Sequence, residues 1–140
     1  MNKLTLALCF SLAAATTASA ADLPRTAAPE GASVYIVSPA HGATVDPTFT
    51  VVFGLSGMGV APAGIDKENT GHHHLLIDSD ELPPMDLPMG NQVKHFGGGQ
   101  TEMTLTLEPG EHTLQLILGD KLHIPHDPPV ISEQITITVR

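Results

Sequence analysis

The chain has 140 residues, enough for one domain, and carries 6 Lys/Arg against 15 Asp/Glu for a formal charge of −9 at pH 7. That balance repels nucleic acid and anionic membrane surfaces and suits cations or a basic partner. There is no tryptophan and only one tyrosine, Tyr35, which removes the exposed aromatic faces that sugar binding exploits.

Residues 1–20 read as a secretory signal peptide. Lys3 supplies the positive start, Leu4 to Ala15 the apolar run, and Ala18-Ser19-Ala20 an A-x-A cleavage site. The run is shorter than the roughly 20 apolar residues that span a bilayer. Leu8 before Cys9 stands where a lipoprotein signal wants a small residue. The expectation is a periplasmic or secreted chain with no transmembrane segment once processed. Cleavage removes Cys9 and Lys3, leaving five Lys/Arg against 15 Asp/Glu, a net charge of −10. No disulfide and no thiolate ligand then remains.

Residues 21–32 contain two prolines and no periodicity, and are expected as a flexible leader to a single domain over 33–140. A β-rich run covers 33–37. Residues 49–55 alternate Phe49, Val51, Phe53 and Leu55 against smaller or polar positions, the period of a strand with one face in a core. Further strands are predicted over 72–78, 92–96, 101–107, 111–118 and 130–139. Pro83, Pro84 and Pro88 make the stretch before residue 92 a loop, and Pro109-Gly110 makes a turn. Seven short strands without an amphipathic helix predict an all-β fold, an immunoglobulin-like antiparallel β-sandwich.

Histidines mark the ends of these strands. His72, His73 and His74 open the third, His95 closes the fourth, and His123 and His126 lie in the loop between the sixth and seventh. In a sandwich of this type those loops meet at one pole, with His41 and His112 at the other. Alternation places His72 and His74 on one strand face with Leu76, and His73 on the opposite face with Leu75 and Ile77. Neutral imidazole suits zinc, copper and nickel. The ligand set expected is therefore His72, His74, His123 and His126, with His95 as a further candidate, around a copper or zinc ion. Two other readings stand beside it: rim histidines that only brace loops, and a pH-responsive group.

Other constellations carry less chemistry. Asp78, Asp80, Glu81 and Asp86 lack the spacing of a calcium loop and read as a solvated acidic loop. Met58 is expected near the histidine pole as an auxiliary ligand, whereas Met85 and Met89 are expected to pack locally, away from it. Gly97-Gly98-Gly99 lacks the lysine of a phosphate cradle and reads as a turn. No serine or cysteine stands in a nucleophile setting, and His126-Asp127 alone is no active site.

The blocks Gly71-His72-His73-His74-Leu75-Leu76-Ile77-Asp78, His95-Phe96-Gly97-Gly98-Gly99-Gln100-Thr101-Glu102, Leu118-Gly119-Asp120 and His123 to Val130 resemble domain-of-unknown-function family 4399, small exported bacterial proteins. That resemblance implies a single secreted domain and assigns no activity. A looser similarity, through Ser38-Pro39-Ala40-His41-Gly42-Ala43-Thr44-Val45, is to periplasmic copper-resistance sandwiches. Those proteins use a histidine at the mature N-terminus, where Ala21 would stand here, so their copper site is not carried over.

The function expected is a periplasmic metal-binding accessory domain rather than an enzyme. The alternative is a structural or adhesion module whose loops contact another envelope protein. A metal-assisted hydrolase or oxidase would further require an open position on the ion.

Overall fold

The computed structural model describes residues 23–140, so the signal peptide expected over 1–20 lies outside it. Nine strands and no helix are present among the described residues, and no helix there is long and apolar enough to cross a membrane. β1 (Ser33–Ser38), β3 (Thr48–Ser56) and β7 (Glu102–Thr106) form an antiparallel sheet in the order β1-β3-β7. The second sheet runs β2 (Thr44–Val45), β9 (Ile135–Val139), β8 (Gly110–Gly119), β5 (Thr70–Ile77), β4 (Gly59–Val60), with β6 (Lys94–His95) also on β5. This is the expected β-sandwich.

Alternating positions of the two sheets meet in the core. Val34, Val51, Phe53 and Leu105 come from the first sheet, and Leu75, Leu114, Leu116, Leu118, Ile137 and Val139 from the second. Each such buried aliphatic side chain contributes about 1.5–3 kcal/mol of transfer free energy. A second apolar cluster lies on the outer face of the larger sheet. Leu76, Met89, Val93 and Ile117 form it, with Ile131 packed against them. Consequently β5 is buried on both faces: His73 and Leu75 point inward, while His72, His74 and Leu76 point outward beneath the 79–93 loop.

Four expectations change at this level. The strand foreseen over 92–96 shrinks to β6 and pairs with β5, because Val93 turns into the outer cluster instead of extending a ladder. The strand foreseen over 130–139 begins only at Ile135, since Ser132 leaves the regular register and its hydroxyl accepts from Leu116 N at 2.8 Å. β2 and β4 pair in parallel with β9 and β5 and are too short for alternation to reveal. Finally, the leader is not loose from residue 25 onward. Ala27 bridges Asp127, Asp127 N donates to Thr26 O at 2.9 Å, and Ala28 N donates to Asp127 O at 3.1 Å. Arg25 pairs with the Asp127 carboxylate at 3.4 Å and donates to His126 O.

At the pole away from the histidine-rich loops, His41 Nδ1 accepts from Thr136 N at 3.0 Å. There His112 Nδ1 donates to Asp78 Oδ2 at 2.7 Å and Nε2 to Glu108 O at 2.8 Å. Both ring nitrogens face acceptors, so the imidazolium is favoured. The Asp78 hydrogen bond, followed by that to Glu108, raises the His112 pKa above 6.5. A pKa raised on folding stabilises fully below the unfolded value, and that contribution is lost as pH rises through the folded one. Urea titrations of wild type and His112→Asn between about pH 6 and about pH 9 should therefore diverge at the acidic end and converge at the alkaline end.

Candidate metal centre

The outward face of β5 presents His72 and His74 one pleat apart, their rings 4.6 Å between centroids. β6 sets His95 directly opposite His74 in the ladder, which puts their side chains on one face. The 120–129 loop brings in His123. One nitrogen from each of His72, His74, His95 and His123 lies within 4.8 Å of all the others, and the four could hold a metal ion. His72 and His74 are 1% exposed, His123 is half-buried and His95 is exposed, so the floor of the group is dry and one side meets solvent.

The nitrogens converge more tightly than hydrogen bonding explains. His72 Nε2 is 3.0 Å from His123 Nδ1 and 3.2 Å from His95 Nε2. A single ring nitrogen either donates one proton or offers one lone pair, so it cannot make two full hydrogen bonds. His74 has neither nitrogen hydrogen-bonded, although both are buried. Leaving such a group unsatisfied costs about 1–3 kcal/mol, and a metal–nitrogen bond would remove the deficit.

Two glycines make room for the rings. A Cβ on Gly119 would lie 2.9 Å from His74 Nδ1 and 3.0 Å from Met89 Cε. A Cβ on Gly97 would lie 2.7 Å from His95 Nε2. Met89 thus borders the histidines, with its N–H donating to His123 O at 2.8 Å. The expectation that it packs away from them is corrected, because the 79–93 loop folds back over the outer face of the sheet. Met58 instead packs on the sandwich core.

His126 is not among the four, and His95 completes the group. The His126 ring is fully buried, with Nε2 3.2 Å from Thr70 O and Nδ1 3.5 Å from Leu118 O, and it ties the loop to the first residue of β5. His73 is equally buried on the inner face, 5.1 Å from the Phe53 ring, with no partner for either nitrogen. It belongs to the core.

Sequence reading missed Asp120. This carboxylate is 2% exposed, and its Oδ1 accepts from Leu122 N at 2.8 Å and Ile124 N at 3.0 Å, on either side of His123. Its Oδ2 accepts from Thr26 Oγ1 at 2.6 Å. His123 itself has φ +66°, a conformation uncommon outside glycine that needs such support. Asp120 therefore fixes the loop apex that carries His123. The only local signal was an aspartate two residues before a turn position, and that pattern is too common to stand out.

Burial lowers the pKa of four histidines from 6.5. Desolvation, then His123 and His95, takes His72 to about 4, and desolvation takes His73 to about 4. Desolvation, then the neighbouring histidines, takes His74 to about 3. Burial followed by His123 lowers His95 as well. These rings are neutral at pH 7, the form that ligates metals.

A pKa depressed on folding costs stability as pH falls from the unfolded value to the folded one. In the His112→Asn background, which removes the opposing titration at the other pole, the metal-free protein should hold its urea midpoint above pH 6.5 and lose stability progressively down to about pH 3–4, as followed by circular dichroism. Asp120→Ala strands two backbone donors and the Thr26 hydroxyl. It should destabilise the metal-free chain by about 2–4 kcal/mol in the same assay at pH 7.

No curated protein and no solved structure matches this chain. One family model does, over residues 51–140, a span that contains all four clustered histidines. By that match the chain belongs to the family described as domain of unknown function DUF4399.

Proposed function

We propose that this protein is a periplasmic accessory domain that binds one transition-metal ion, copper or zinc, through His72, His74, His95 and His123. The observation that carries the reading is the convergence of four imidazole nitrogens within 4.8 Å, around a buried His74 that has no hydrogen-bond partner among the described residues. Neutral nitrogen donors select first-row transition ions over calcium or magnesium. The Lys3, Leu4–Ala15 and Ala18-Ser19-Ala20 pattern supports the export part of this reading. The net negative charge of the chain favours approach of a cation.

A second reading, an envelope interaction module, has support from Ile65 and Leu122. Both are large, exposed apolar residues in the loops at the histidine pole. It expects no bound metal.

Untagged protein exported to the periplasm and titrated with Zn(II) or Cu(II) should bind one ion per chain. With free metal at a hundredfold excess over Kd, stability should rise by about 2.7 kcal/mol. His72→Ala/His74→Ala should abolish both effects. His126→Gln should lower stability yet keep the one-to-one stoichiometry. A stoichiometry near zero in wild type, or binding unchanged in the double variant, rejects the proposal.

A further inference from the structure

The placement of the four rings carries information about the ion itself. Their six centroid separations are 4.6 Å (His72–His74), 5.0 Å (His72–His95), 5.0 Å (His72–His123), 5.2 Å (His74–His95), 5.9 Å (His74–His123) and 4.6 Å (His95–His123). An imidazole bound at about 2.0–2.1 Å puts its centroid about 3.2 Å from the ion, so a tetrahedral site has six equal edges of about 5.2 Å. A square-planar site has four edges of about 4.5 Å and two diagonals of about 6.4 Å, which join different pairs of ligands. Here the two longest separations, 5.9 and 5.2 Å, share His74 and so cannot be two diagonals of one square. All six instead scatter about the tetrahedral edge.

Resting on the metal-binding reading above, we infer that the four histidines form a closed tetrahedral shell for Zn(II), a site that holds the ion and leaves no coordination position for substrate or water. Zn(II), with a filled d shell, accepts tetrahedral nitrogen ligation without preference, whereas Cu(II) favours a tetragonal field. Cu(I) shares the tetrahedral geometry and is selected by thiolate and thioether donors; the four rings supply nitrogen alone, Met89 is the thioether that borders them, and the Cu(I) arm of the test below decides between the two ions. Four protein ligands are the composition of structural zinc sites, and hydrolytic ones keep a position open. Entry and exit of the ion fall to His95, exposed on a strand of two residues.

The test loads the metal-free mature chain with Co(II), a spectroscopic stand-in for Zn(II), and with Zn(II) and Cu(I) in separate arms. Co(II) should give the intense visible bands of a tetrahedral nitrogen field, bleached by one equivalent of Zn(II). X-ray absorption of the zinc form should find four nitrogens at about 2.0 Å. In His95→Ala one imidazole should be replaced by water, and the cobalt bands should weaken. A pale octahedral cobalt spectrum, or fewer than four imidazoles on zinc in wild type, overturns the inference while metal binding stands. Cu(I) retained against excess Zn(II) under anaerobic reduction overturns the choice of ion. No ion bound in any arm overturns this inference together with the reading beneath it.

Discussion

Strand β5 is packed on both of its faces, and the rest of the molecule is arranged around that constraint. A strand sends successive side chains to opposite sides, so burying both sides leaves its central residues no route to water. The inner face supplies Leu75 to the sandwich core, while the outer face supplies Leu76 to a second cluster closed by Met89, Val93 and Ile117. Three consecutive histidines sit in this doubly buried strand. Imidazole tolerates such burial when neutral, and its remaining need is a partner for each ring nitrogen.

The two faces meet that need differently. His73, on the inner face, packs against Phe53 and leaves both nitrogens unpaired, a standing cost within the core. On the outer face, His72 and His74 meet His95 and His123, and the nitrogens come close enough to share one ion. Crowding neutral rings also makes each harder to protonate, since every neighbouring histidine opposes a second positive charge. The environment that penalises a proton would accept a metal cation, whose coordinate bonds repay desolvation more fully.

The loop carrying His123 has its own support. Asp120 clamps both sides of the apex, and its second oxygen is held by Thr26 from the N-terminal segment. Residues 25–28 then pair with Asp127 along the same loop. A segment remote in sequence thereby stiffens the residue that approaches the site at positive φ. Rigid loops around a ligand set lower the ordering cost of binding.

Alternation was enough to identify the strands that build the core, because a period of two is set by backbone geometry and shows in Phe49, Val51, Phe53 and Leu55 without tertiary information. The same period separated His72 and His74 from His73, and sandwich connectivity placed His123 at the same end. Other features depended on contacts between distant segments. His123 and His126 are three residues apart in an irregular loop, where no periodicity says which ring faces the sheet. The Asp120 clamp turned His123 toward the site, and His126 was taken up by the Thr70 and Leu118 carbonyls. His95 became central only because β6 pairs with β5, a two-residue ladder below the reach of any pattern. The strand faces were thus determined by local stereochemistry. The membership of the histidine group was decided by loop packing and strand pairing, which exist only once the chain has folded.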